Sequence, residues 1–137
     1  MCIRDRHHGV TVAEAVVGAT YALLGQRDPI AVASRVIGGF AREFPLTEAE
    51  IDVVFPLIVA RLAVSVTNSS LASRAKPGDA YATISEAPAW AALDALLAHP
   101  VEVARARFRS ACGVTPVRGG DRVREWLGTH GLSLIHI

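Results

Sequence analysis

The longest apolar-periodic stretch of the chain runs from Phe44 to Ser70. Ile51, Val54, Phe55, Ile58, Leu62 and Val66 recur there at intervals of three and four, which predicts a helix with one buried face. Thr47-Glu48-Ala49-Glu50 opens it as a capping box, with Leu46 and Ile51 placed as a hydrophobic staple. Pro56 falls inside the pattern. Its missing N–H and its ring predict a bend that costs about 3 kcal/mol unless the fold uses it. Arg61, Ser65 and Asn68 follow at four and three and so share one face, and Thr67, Ser69 and Ser70 crowd the same end. Such a row is either the polar wall of a pocket or a solvated helix face.

The flanking segments read as helices that pack on this one. Thr11-Val12-Ala13-Glu14 repeats the capping-box pattern and predicts a helix to about Leu24, stopped by Gly25. Its buried stripe is Val12, Ala15, Val16, Ala19, Ala22 and Leu23. Glu14 one turn in is a favourable charge at a helix start. Asp28-Pro29 is an N-cap followed by proline at the first helical position, and that helix runs to about Phe44. Gly38-Gly39 weaken its middle, which points to a neighbouring helix in close approach.

Lys76-Pro77-Gly78-Asp79 reads as a turn and Ala80 to Ser85 as extended. A helix follows to about His99, with Trp90, Leu93, Leu96 and Leu97 inward. The next spans Pro100 to Cys112 and ends at Gly113. Its Arg105, Arg107 and Arg109 are spread around the helix and read as surface. Val114 to Gly120 is linker-like, and Asp121 caps a short helix to Leu127, only weakly tied to the rest by pattern. Five helices, a weaker sixth and no convincing sheet predict an all-α, helix-on-helix bundle.

Composition changes this picture little. At 137 residues the chain is one domain or less. It is 51% hydrophobic but only 6% aromatic, so the core is built from Ala, Val, Leu and Ile. Net charge is +1 with no basic block, which gives no reason to expect a nucleic-acid partner. The mean hydropathy of +0.34 raises the question of a membrane span. The best candidate, Val53 to Val66, is too short for the ~20 residues required and contains Pro56 and Arg61, so no membrane partner is expected. No N-terminal stretch has the apolar core of a signal peptide, and a cytoplasmic location is expected.

The two ends, MCIRDR and LSLIHI, resemble translations of the two orientations of a sequencing-library transposon adapter. Setting aside residues 1–6 and 132–137 lowers Lys+Arg from 14 to 12 and Asp+Glu from 13 to 12, leaving a neutral remainder. Cys2 goes with them, so Cys112 stands alone and forms no intrachain disulfide. On this reading the native protein continues in both directions. The segments are then 7–113, a helical lobe, and 114–131, a linker with a short helix, between two adapter-like ends.

No Gly-rich phosphate loop, metal-ligand spacing or Ser/His/Asp arrangement is present. His7-His8 diverge as neighbours, His99 beside proline reads as a loop residue, and Cys112 as a small packed one. What remains is a set of runs: EAVVGATYALLGQRDP, GGFAREFPLTEAEIDVVFPLIVARLAVSVTNSS, DAYATISEAPAWAALDAL and FRSACG. Together they resemble the C-terminal helical lobe of aminoglycoside-phosphotransferase-like kinases, in the hydroxylysine-kinase and homoserine-kinase-like branch. The resemblance covers roughly Val10 to Gly113, and FPLTEAE and ARLAVSVTNS are its most specific parts. In many bacteria that domain is fused to a class III, pyridoxal-phosphate-dependent aminotransferase.

The resemblance implies a truncated protein-kinase-like fold, from which five to six helices of the C-terminal lobe are present. It implies a parent enzyme that uses ATP and Mg to phosphorylate a small hydroxylated amine or amino acid, with pyridoxal phosphate if the aminotransferase fusion exists. The family's His-Gly-Asp…Asn loop and metal-binding Asp are not in this sequence, so no catalytic residue is carried over and the fragment is expected to be inactive alone. Its partners are then the missing N-terminal and catalytic segments of the same chain and the small-molecule acceptor. Glu14 matches the helix start beneath the catalytic loop, where its carboxylate supports the loop backbone. Arg61, Ser65 and Asn68 match the helix that helps form the acceptor wall, and Tyr81 matches the tyrosine of an Asn-Pro-Tyr segment that here reads DAY. Two other readings fit the same composition: a ligand-binding or dimerising helical bundle without catalytic activity, and a structural lobe beside the aminotransferase.

Overall fold

The computed structural model describes residues 11–75 and 86–130, and these form six helices with no strand among them. They are α1 (Thr11–Ala22), α2 (Pro29–Glu43), α3 (Glu48–Ala75), α4 (Glu86–Leu97), α5 (Val101–Ala111) and α6 (Gly120–Thr129). The turn at 76–79, the extended segment Ala80 to Ser85 and Tyr81 lie outside the described residues.

The 28 residues of α3 span about 42 Å at 1.5 Å per residue, and the other helices gather around it. It packs against α1, α4 and α5, while α2 bridges α1 and α5. The apolar periodicity selects the right face: Ile51, Val54, Phe55, Ile58, Leu62 and Val66 are all buried. They meet Val16, Ala19 and Leu23 from the α1 side, Ile37 from α2, Leu96 from α4 and Phe108 from α5 in one continuous core. Pro56 is exposed and the helix continues through it, so its ring stands on the solvent side of the bundle.

Local chemistry fixes the ends. Thr47 N donates to Glu50 Oε2 at 2.8 Å, and Glu50 N donates back to Thr47 Oγ1 at 3.3 Å, forming the capping box that opens α3. Asp28 Oδ1 accepts from Ala31 N at 3.0 Å, with Pro29 in the first turn of α2. Gly25 and Gly113 follow α1 and α5 with φ of 70° and 74°, the left-handed conformation that glycine adopts without a Cβ clash.

Several expectations are corrected. The α1 helix ends at Ala22, within two residues of the expected end, and its buried stripe takes in Thr20 while Ala22 is only half-buried. Trp90 is 46% exposed and Leu97 is exposed as well; α4 turns Ala89, Ala92, Leu93 and Leu96 inward instead. Two alanines on that face let α4 lie close to α3, where a Trp would hold it away. The last helix starts after Gly119 and runs past Leu127 and Gly128 to Thr129, with Asp121 in its first turn.

The segment before α6 is also less detached than its composition implies. Val114 packs on the core, and the Thr115 carbonyl accepts from Arg109 Nε at 2.8 Å. Only α6 itself buries no residue.

Candidate functional site

The second half of α3 passes α1 at a cleft of about 320 Å³, within the range of small-ligand sites. Arg61, Ser65 and Asn68 all line it, as their shared face requires, together with Ser69 and Ala72. Thr20, Tyr21 and Leu24 close the α1 side and Ala89 comes from α4. The predicted polar row therefore does face a cleft, though not as a whole. Thr67 and Ser73 bond back to the carbonyls of Ala63 and Ser69, four residues earlier, at 2.8 and 3.0 Å, which satisfies their hydroxyls within the helix. Ser70 Oγ donates to Glu86 Oε1 at 3.4 Å and ties α3 to the start of α4.

Arg61 organises the cleft. Its Nη2 donates to Tyr21 Oη at 2.9 Å and its Nη1 to Ser65 Oγ at 3.2 Å, and the guanidinium carbon lies 5.6 Å from the centre of the Tyr21 ring. Two hydroxyls and an aromatic face thus hold the cation in place. No carboxylate pairs with it among the described residues. A half-buried arginine fixed by neutral partners keeps its charge and remaining N–H groups for an anion. The Asn68 amide makes no hydrogen bond among the described residues and adds a donor and an acceptor at the same wall. Among the described residues the cleft thus offers one cation, several hydroxyls and an amide, a set suited to hydrogen bonding a small polar anion.

Tyr21 and Thr20 are cleft residues that the sequence analysis did not single out. The available signal is the Thr20-Tyr21 pair, two hydroxyls in the last turn of α1 after the apolar run from Ala15 to Ala19. Thr20 spends its hydroxyl on the Val16 carbonyl at 2.7 Å, so Tyr21 is the member that works in the cleft. Glu14 is exposed on the Tyr21 face of α1, two turns nearer the N-terminus, and does not reach the cleft.

The second concentration of charge lies at the opposite end of α3, and it overturns the surface reading of Arg109. That side chain is 3% exposed. Its Nη2 reaches Glu48 Oε2 at 2.8 Å, its Nη1 reaches Asp52 Oδ1 at 3.1 Å, and Arg118 Nη2 bonds the other Asp52 oxygen at 2.7 Å. The hydrogen bond from Glu48, with help from Asp52, holds the Arg109 pKa above its ordinary value despite burial. Burial pushes Asp52 upward, but Arg109 and Arg118 outweigh it and leave the carboxyl below its ordinary value. Arg107 does sit at the surface, where it pairs with Asp28 at 3.3 Å. The cleft of about 420 Å³ beside this cluster is lined by the same Asp52, Arg109 and Arg118, with Glu102 and Arg105. Glu48, Asp52, Arg109 and Arg118 are matched to one another and clasp α3 to α5, while Arg105 at the same cleft forms no ion pair among the described residues and keeps a buried Nε without a hydrogen-bond partner there.

No three His, Cys, Asp or Glu side chains come together as a metal site among the described residues. Cys112 is half-buried and its thiol is pushed up by burial, away from nucleophilic character. No described helix is long and apolar enough to cross a membrane. Comparison with protein-family models, characterised proteins and solved structures finds no match to this chain.

Proposed function

We propose that this chain is the substrate-side helical lobe of an ATP-dependent small-molecule phosphotransferase whose acceptor is a hydroxylated amino acid or amine. The observation that carries the reading is the Arg61 cleft. The three residues of the ARLAVSVTNS run that the family resemblance assigns to the acceptor wall all line one cleft of ligand size. Its arginine lacks a protein carboxylate partner among the described residues. A forked pair of N–H groups from Arg61 suits the carboxylate of an amino acid, and Asn68 suits its amine or hydroxyl. The lobe holds the acceptor, while ATP, Mg and the proton-accepting Asp belong to the catalytic segments of the parent chain. Glu14, exposed on α1, is left free to support the backbone of that catalytic loop.

The test is to determine the source DNA upstream of codon 7. The expected result is a His-Gly-Asp…Asn loop followed by an acidic, metal-binding strand. A stop codon, or an unrelated helical DNA-binding segment, overturns the kinase reading. The alternative is a ligand-binding bundle with no catalytic activity, favoured by the fact that α1, α3, α4 and the turn at Leu24 supply the described lining of the cleft. Under the kinase reading the 137-residue chain alone binds no ATP, and calorimetric detection of ATP binding contradicts it.

A further inference from the structure

The outer side of α3 carries a second apolar stripe that nothing among the described residues covers. Val53, Leu57, Ala60, Val64, Thr67 and Leu71 follow one another at alternating intervals of four and three, and all six are exposed. The four large ones are 42, 37, 50 and 57% accessible. This is the 3.5-residue spacing of a helix-pairing seam, and it lies opposite the core face. A surface helix needs only one apolar face, so the outer one calls for an occupant.

The pattern identifies it. Continued one step at each end, the same spacing reaches Glu50 and Arg74. The stripe is then symmetric about Leu62. Laid antiparallel on a copy of itself, it sets Val53 against Leu71, Leu57 against Thr67, the small Ala60 against Val64, and Glu50 against Arg74. Apolar positions meet apolar ones through most of the seam, small meets large at its centre, and opposite charges meet at both ends. Antiparallel alignment also places each helix's negative C-terminus beside the other's positive N-terminus. Glu50 gives Oε2 to the cap, and its other oxygen has no partner among the described residues. Arg74 forms no ion pair there either. A parallel pairing would instead stack Glu50 on Glu50 and Arg74 on Arg74.

We propose that the outer stripe of α3 is a two-fold interface on which a second copy of this chain docks, antiparallel and centred on Leu62. Both copies then use the same patch, as a closed two-fold dimer requires. The inference does not rest on the kinase reading, because the stripe shares no residue with the lining of the Arg61 cleft.

The test is sedimentation equilibrium of the 137-residue chain at micromolar concentrations, beside Val64→Glu and Arg74→Glu. The expected result is a dimer whose dissociation constant rises at least about a hundredfold in V64E and about fivefold in R74E. Far-ultraviolet circular dichroism should be unchanged in both, since these side chains are exposed in the protomer. Register is read separately, with Cys2 and Cys112 replaced by Ser and Ala. A mixture of V53C and L71C chains should then oxidise to the mixed disulfide in preference to either homodimer. A monomer throughout, a dimer indifferent to V64E, or preferential V53C homodimer formation overturns the proposal.

Discussion

Gly38 and Gly39 stand side by side in α2, yet the structure gives them different work. A Cβ built on Gly38 would lie 2.6 Å from the Ala111 carbonyl oxygen at the end of α5, and backbone cannot yield as a flexible side chain can. On Gly39 the nearest neighbour is the Arg42 side chain at 3.6 Å, an ordinary contact. Gly38→Ala should therefore destabilise the protein by about 1–3 kcal/mol through overpacking. Gly39→Ala should stabilise it by about 0.5–1 kcal/mol, because a helical glycine costs that much in backbone freedom. Urea titration of the two variants checks both signs, and equal shifts would show that the α2–α5 approach is looser than described. The sequence showed that a glycine pair mid-helix needs a close neighbour. It could not show which of the two meets it, since that depends on how α5 crosses α2, a relation between residues over seventy positions apart.

At the scale of elements, α3 is one helix with four faces. One lies in the core, one carries the Arg61 cleft, one carries Glu48 and Asp52, and one is the outer stripe. The clasp on the acidic face joins three segments, since Arg109 belongs to α5, Glu48 and Asp52 to α3, and Thr115 and Arg118 to the chain leading to α6. Arg109→Ala removes the cation from between two carboxylates and leaves the Thr115 carbonyl without its donor. The loss is costly because Arg109 itself is buried, so its removal leaves a void at the meeting of three segments and takes a donor from both Asp52 and the Thr115 carbonyl. We expect Tm to fall by on the order of 10 °C. Arg107→Ala, on the solvated side of α5, should change it little. Thermal melts of the two variants make the comparison, and similar losses would contradict the clasp. Most boundaries of α1 to α5 were legible to within about two residues, because caps, Pro29, Gly25 and Gly113 are local signals; the exception is the end of α3, which continues past Ser70 to Ala75. The burial of Arg109 was not, since its carboxylate partners lie 57 and 61 residues away. Trp90 misled for a related reason. Apolar residues dominate α4, so its pattern does not say which face turns inward, and the close packing of Ala89 and Ala92 against α3 decides.

For the whole molecule, three carboxylates link local structure to global stability, and all three have lowered pKa values. Asp28 is lowered by the Ala31 N–H at the α2 cap and by Arg107 from α5. Glu50 is lowered by the Thr47 backbone and hydroxyl at the start of α3. Asp52 is lowered by Arg109 and Arg118 against the opposing effect of burial. A carboxylate with a lower pKa in the folded state than in the unfolded one binds fewer protons when folded, so its contribution is complete above the unfolded value. The ordinary values are 3.8 for the aspartates and 4.5 for Glu50. Stability should thus be level, as far as these groups set it, from neutral pH down to that range, and should fall as pH drops through it toward the lower folded values. Asp52→Asn separates the clasp from the caps. It should lower stability at neutral pH, because Arg109 keeps only Glu48 as a charged partner and Arg118 keeps none. It should also flatten the acid-side slope, because one of the three linked protons no longer binds. Urea midpoints measured at neutral pH and at successive steps below the carboxylate range read both effects at once. A D52N protein with the parent's slope would mean that the α3–α5 clasp carries none of the acid sensitivity, leaving it to the two helix caps.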